Sequence, residues 1–312
     1  MLMAVLAIAS HAQSKVYITK EITPESLVKI YEALGIEAKG RVAVKISTGE
    51  GGNNHYLKPT LIRNLVDKVN GTIVECCTAY PGTRMDKQQH WQTIHEHGFD
   101  SIFAVDLMDE FGEIRIPVQD KKHLKYDIVG NHLPNYDFMI NLAHFKGHAM
   151  GGFGGVMKNA SIGVASTAGK CYIHSAGKSD DPSTAWNPGI LAAGDTQDLF
   201  LESMAAAAQA VHNYFSGRVI YINVMNNMSV DCDCDGTPAK PELKDMGIMA
   251  SLDPVAVDQA CLDMVFNYQG KPGDDNKPLI ERINRQHGTY ITEYAEQIGL
   301  GSRKYTLISI DQ

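Results

Sequence analysis

Residues 141–175, NLAHFKGHAMGGFGGVMKNASIGVASTAGKCYIHS, decide how this chain is read. The stretch opens as the end of an apolar strand, DFMINL at residues 137–142. It then gathers His144, His148 and His174, the lysines Lys146, Lys158 and Lys170, the thiol of Cys171 and seven glycines. An apolar core segment does not concentrate basic and metal-liganding side chains in this way. Glycine is favoured where backbone approaches a ligand closely or takes a positive φ. The stretch therefore reads as the floor and wall of a polar pocket fed by a strand.

Working outward, strand and helix alternate. Residues 15–19 form a short strand, Thr23 caps a helix that has Pro24 at its first position, and 41–46 (RVAVKI) is a β-branched strand. Residues 59–69 carry helical apolar spacing, 72–74 return to strand, and 101–105, 113–118 and 137–142 read as further strands. Downstream lie a strand at 218–230 (RVIYINVMNNMSV) and a short one at 247–250. A helix capped by Asp253 and Pro254 follows, then the loop QGKPGDDNKP, a helix running to Gln297 and a closing strand, YTLISI. The fold class is α/β, with a largely parallel or mixed sheet, flanking helices and two lobes at about 15–175 and 176–312.

Composition bounds the function. The chain has 312 residues, 44% of them hydrophobic and 21% charged, with a net charge of −8. No basic run is present, so nucleic acid and anionic membrane are poor partners, and a small molecule is the better one. No stretch is long enough for a transmembrane helix. The opening run MLMAVLAIASHAQ ends in the small-x-small pattern Ser10-His11-Ala12. It reads either as a signal peptide at residues 1–14, placing the protein outside the cytoplasm in the periplasm, or as an N-terminal strand of a cytoplasmic protein.

The cysteines are Cys76, Cys77, Cys171, Cys232, Cys234 and Cys261, with no C-x-x-C among them. Self-ligated iron–sulfur clusters are not expected, and a redox reaction here would need an external electron-transfer partner. Loops after strands bind ligands in open α/β sheets. The first such loop, with the strand end before it, offers Lys45, Glu50, Asn53, Asn54 and His55. The second, TAYPGTR, offers Thr78, Tyr80 and Arg84, whose guanidinium suits a carboxylate or phosphate. Lys45, His55, Arg84, His144, Lys146, Asn159 and Lys170 are thus candidates for holding a small anion. The histidines of HWQTIHEHGF (His90, His95, His97) lack metal-ligand spacing on a helix and read as a solvated helix ending at Gly98. The run GGFGG lacks the strand-then-helix G-x-G-x-x-G arrangement, so a dinucleotide fingerprint is absent.

Taken in order, HFKGH, GGFGG, KN, GK and HS, then CDCD, DMGIMASLDPVAVDQA and Tyr305-Thr306-Leu307, resemble the domain of unknown function family 362 over nearly the whole chain after residue 14. Many members carry a two-cluster ferredoxin insertion beyond the motif that His174 matches. Here the corresponding AGKSDDPSTAWNPGILAAGD holds no cysteine. A more distant resemblance is to the nickel-pincer lactate racemase family, through His148, GFGG, Lys158 and His174. It implies a similar fold, with Lys158 as a tether for a pyridinium-derived nucleotide, His174 as a metal ligand and His148 as the proton-transfer residue. A lysine whose pKa is lowered by burial would suit the tether. That family's second acid/base histidine falls where this chain has TAYPGTR.

VDCDCDGTPAKPE at 230–242 is the other chemical candidate. Asp231, Asp233, Asp235, Gly236 and Glu242 fit D-x-D-x-D-G-x5-E, but the preceding segment is a strand and Pro238 and Pro241 lie inside the loop, which opposes an EF-hand. Cys232 and Cys234 share one side of an extended loop and suit zinc, iron or nickel, unless the segment is only an acidic turn. Asp258 and Cys261 share a helix face that would look into the pocket, unless Cys261 is simply buried. The reading that follows is a metal-dependent enzyme of redox or isomerase type acting on a small anionic organic molecule, with His148 and Lys158 catalytic and His174, Cys232 and Cys234 on the metal. The alternative is a non-catalytic metal- or anion-binding protein of the cell envelope.

Overall fold

The computed structural model describes residues 13–194 and 196–311. Most of the leader segment lies outside the described residues. β1 (Ser14–Thr19) leads into α1 (Pro24–Ala33), where Thr23 and Ser26 close a reciprocal capping box and Pro24 takes the first helical position. Then come β2 (Val42–Lys45), α2 (Pro59–Val69), β3 (Gly71–Glu75), α3 (Lys87–Glu96) and β4 (Val105–Leu107). The antiparallel hairpin of β5 (Glu113–Ile116) and β6 (Asp127–Gly130) stands apart from the main sheet.

The chain returns to the main sheet as β7 (Phe138–His144), buried along its whole length. A small hairpin of β8 (Lys146–His148) and β9 (Gly152–Gly154) follows, then α4 (Val156–Ala160), α5 (Thr167–His174) and α6 (Gln197–Tyr214). β10 (Val219–Met225), β11 (Gly247–Ser251), α7 (Pro254–Asn267), α8 (Lys277–Arg285), α9 (Tyr290–Gln297) and β12 (Tyr305–Ser309) complete the order.

The main sheet runs β12-β1-β11-β10-β7-β2-β3-β4, with every strand parallel to the rest except β11. Strands from residues 15–175 and 176–312 therefore share one sheet. Side chains alternate across β7 and feed two apolar layers. Met139 and Ala143 pack with α4 to α9, whereas Phe138, Ile140 and Leu142 pack with α1, α2 and α3. The result is an α/β fold with helices on both faces of a largely parallel sheet. No helix among the described residues is long and apolar enough to cross a membrane.

Three local expectations change. Residues 101–104 form a turn, because the amides of Ile102 and Phe103 bond back to the Phe99 carbonyl at 3.1 and 2.9 Å, and the strand begins only at Val105. The helix running to Gln297 is two helices, broken where His287 takes φ 50°. The helix expected to be solvated at 90–97 buries His90 completely, while His97 stacks on Tyr56 at 4.2 Å and only His95 stands in solvent.

Candidate functional site

Strands β10, β7, β2 and β3 run side by side in one direction, and the loops at their C-terminal ends enclose a cavity of about 530 Å³. This is where the geometry of an open α/β sheet places ligands. The loop after β2 is bolted across to the CDCD loop: Glu50 N–H donates to the Asp233 carbonyl at 2.8 Å, and the Asn53 amide to the Asp235 carbonyl at 2.7 Å.

One wall is charged but saturated. Lys45, at the end of β2, meets Glu75, at the end of β3, at 2.7 Å. Glu75 also accepts from Thr48 N–H at 2.9 Å and from Arg84 at 3.2 Å, and Arg84 reaches Glu50 at 3.3 Å. Burial pushes the Glu75 carboxyl up, but Lys45 and Arg84 outweigh it and hold it at about 2. Asn159 donates to the Lys45 carbonyl at 2.9 Å and to Asn141 at 2.7 Å, tying α4 to this wall. Arg84 faces two carboxylates, which take its Nε and one terminal nitrogen.

The opposite wall is built from the CDCD loop, the β8–β9 hairpin and α4. Asp235 N–H donates to the Cys232 carbonyl at 2.9 Å, a turn that turns both sulfurs toward the cavity. Asp233 points the other way, where His144 meets it at 2.8 Å and Lys146 at 2.7 Å. Burial pushes its carboxyl up, and these two neighbours bring it to about 2. A ring nitrogen of His148 and the sulfurs of Cys232 and Cys234 lie within 4.8 Å of one another, and the Lys158 ammonium stands 3.7 Å from the Cys232 sulfur. A hydrogen bond from Cys234, opposed by burial and reinforced by Lys158 and His148, holds the Cys232 thiol well below its ordinary range. Burial draws the Lys158 pKa down, yet Cys232 and Cys234 outweigh it and the net shift is upward. The lowering by burial that would suit a tether is thereby reversed by the two cysteine sulfurs beside the ammonium.

The glycines explain the wall's shape. A side chain at Gly147 would strike the Val230 carbonyl at 2.2 Å, and one at Gly155 would strike the Asp258 carboxylate at 2.3 Å. That carboxylate reaches in from α7 to accept from Val156 N–H at 2.9 Å and Met157 N–H at 3.0 Å, capping α4 from outside. Gly152 and Gly155 make room for the protein's own chain, and none of Gly151, Gly152, Gly154 and Gly155 lines the cavity.

The two pocket histidines are wired in opposite senses. His148 Nδ1 accepts from Met150 N–H at 3.2 Å and Gly151 N–H at 2.8 Å, which leaves the proton on Nε2. His174 Nδ1 sits 2.7 Å from the Lys170 carbonyl, an acceptor, so it carries the proton and Nε2 keeps its lone pair. His174 is held flat against Phe200, with ring centroids 4.7 Å apart, and burial lowers its pKa to about 3. Lys170 lines the same cavity, bonds the Ala165 carbonyl at 2.5 Å and, among the described residues, pairs with no carboxylate.

The family model described as domain of unknown function (DUF362) matches residues 42–263. The chain belongs to that family. No curated protein matches it. Among solved structures, a structural-genomics target from Thermotoga maritima gives a TM-score of 0.44 at 12% identity, over 89% of this chain and 59% of that one, so the chain spans about three-fifths of that protein's length. The lactate racemase apoprotein from Thermoanaerobacterium thermosaccharolyticum gives 0.42 at 11% identity, over 96% and 83%.

In this DUF362 chain the cavity brings together His148, Lys158, His174, Cys232, Cys234, Lys45, Arg84, Asn159 and Lys170. His144 and Lys146 lie behind the CDCD loop, gripping Asp233, and His55 stands outside the cavity. The EF-hand pattern does not assemble: Asp231 pairs with Arg282 at 3.1 Å, and Asp233 is held by His144 and Lys146. Asp258 and Cys261 face the core, with Cys261 against Met249. Glu75 is the cavity residue that sequence reasoning passed over, although a carboxylate closing a buried strand next to a lysine-ended strand was a usable signal.

Proposed function

We propose that this DUF362 protein is a metal-dependent enzyme of redox or isomerase type acting on a small anionic organic molecule. Cys232, Cys234 and His174 hold a thiophilic ion such as nickel, iron or zinc, His148 moves a proton, and Lys158 and Lys170 receive the negative charge of the substrate. The opposite wiring of the two imidazoles carries this reading. A metal-ligating histidine normally donates its second ring N–H to an acceptor, and His174 does so to the Lys170 carbonyl. His148 instead spends Nδ1 as an acceptor and presents a proton, which suits proton transfer better than ligation.

The donor set supports the choice of ion. The two cysteine sulfurs suit borderline metals. His174 lines the same cavity but stands outside the group of His148, Cys232 and Cys234 atoms that lie within 4.8 Å of one another, so the ion would have to draw it in. Such an ion would polarise a bound oxygen as a Lewis acid. Around it this chain's own residues contribute fixed charge: Lys170 has no carboxylate partner among the described residues, and Lys158 faces sulfur rather than oxygen.

The test is metal content in protein purified from its native host without chelators. Wild type and His148→Gln are expected to retain a stoichiometric ion, whereas Cys232→Ser and His174→Gln lose it while keeping a native circular dichroism spectrum. Loss in His148→Gln with retention in His174→Gln would reverse the two histidine roles. No metal in any sample would remove the metal reading.

A further inference from the structure

Cys232 and Cys234 differ from the other cysteines in what surrounds them. Cys76, Cys77, Cys171 and Cys261 are buried, and Cys76 spends its thiol on the Val164 carbonyl at 3.2 Å. Cys76 also lines the cavity, but it is Cys232, buried too, and the partly exposed Cys234 that lie within 4.8 Å of each other on its wall. The Cys232 sulfur is ringed by donors, with the Lys158 ammonium at 3.7 Å and the Cys234 backbone N–H at 3.4 Å. The turn closed by Asp235 N–H places both cysteines on one side of the loop.

We propose that Cys232 and Cys234 form a dithiol that exchanges reversibly with low-molecular-weight disulfides, closing an intramolecular disulfide across the cavity wall. The chemistry balances with one oxidant of that class. The Cys232 sulfur attacks one sulfur of R–S–S–R, the S–S bond breaks, and the first RSH leaves with the Cys232 proton. The Cys234 sulfur then attacks the mixed disulfide, releasing the second RSH with its own proton. Two thiols are oxidised to one disulfide, and the small disulfide is reduced to two thiols.

The geometry assigns the roles. Cys232, beside Lys158, is the attacking sulfur, and Cys234, the more exposed of the two, resolves the mixed disulfide. The two sulfurs already lie within 4.8 Å of each other, against about 2 Å in the bond they would form. The consequence for the metal rests on the reading above, whereas the exchange does not. If the same sulfurs ligate the ion, the oxidised protein cannot hold it and the loaded protein resists oxidation, so the site reports the thiol state of its surroundings.

The experiment uses the full chain, as purified and after chelator treatment, incubated with oxidised glutathione and mapped by peptide mass after alkylation. A Cys232–Cys234 crosslink is expected in the chelated protein, slowed about tenfold or more when zinc is restored. Cys234→Ser should accumulate glutathione on Cys232, and Lys158→Met should slow the reaction several-fold with its circular dichroism unchanged. Glutathione fixed first on Cys234 or Cys76, or a dithiol as unreactive as Cys261, would overturn the proposal. A crosslink that forms in protein that never retains metal sinks the metal reading and leaves the exchange standing. A metal-binding protein whose chelated dithiol stays reduced does the reverse.

Discussion

The two walls of the cavity hold similar numbers of charges and use them differently. At the ends of β2 and β3, Lys45 and Arg84 share Glu75 and Glu50, and nearly every donor has an acceptor within the protein. At the ends of β7 and β10, Lys158 faces a sulfur, and α5 brings to the cavity Lys170, bonded to a main-chain carbonyl, and His174, with a ring nitrogen unspent. A closed network of buried charges fixes two loops in place and leaves nothing for a ligand. A wall with unspent donors and lone pairs contributes less to folding and has the means to bind. Stability should therefore reside in the first wall and in the grip of His144 and Lys146 on Asp233 behind the second, and chemistry in the groups left unspent.

The largest effect that would break this contrast is at Glu75. Replacing it with Gln leaves Lys45 and Arg84 buried without their shared carboxylate, and urea unfolding should show a loss of about 3–5 kcal/mol. An unchanged unfolding midpoint would erase the distinction between the walls. The same residue sets an acid limb. Its carboxyl stands at about 2 in the folded state against 4.5 ordinarily, so its contribution is fully present above pH 4.5 and is lost as pH falls toward 2. Between those values the difference between wild type and Glu75→Gln should shrink by on the order of 3 kcal/mol.

A smaller loss sharpens the picture from the other side. Asp258→Ala removes the carboxylate that caps α4 and also accepts from Asn223 at 2.7 Å, which should cost about 2 kcal/mol in the same assay. The smallest effect belongs to Lys158→Met. With no carboxylate to abandon, stability should move by less than about 1 kcal/mol, and a loss comparable to that of Glu75→Gln would show that the second wall is structural as well.

The strands that set the cavity were legible because their signals are local. RVAVKI and DFMINL are apolar on both faces, as central parallel strands must be, and Thr23, Pro24, Asp253 and Pro254 announce their helices by capping chemistry alone. α6 was not anticipated, since Ala205 to Ala208 are buried together and leave no polar face to mark a period. His90 was misread for a related reason: helical spacing tells which residues share a face but not that α3 presses that face into the core. At the site, the basic stretch and the CDCD loop both identified themselves by composition. Their partners did not, because the bonds from His144 and Lys146 to Asp233 and from Asp258 to α4 join residues about 90 to 100 apart.

β1 pairs in parallel with β12, so one edge of an early strand stays open until the last one is synthesised. Its other neighbour, β11, also lies far along the chain, so β1 has no backbone partner until residues 247–251 have been made. During translation the segments around β2, β3 and β7 can pair while β1 remains an unmatched strand. Contacts of such long sequence separation fold slowly and leave an edge exposed to other chains in the interval. The cavity, whose walls depend on β2, β3, β7 and β10, can thus take shape on the ribosome before the sheet that carries it is complete.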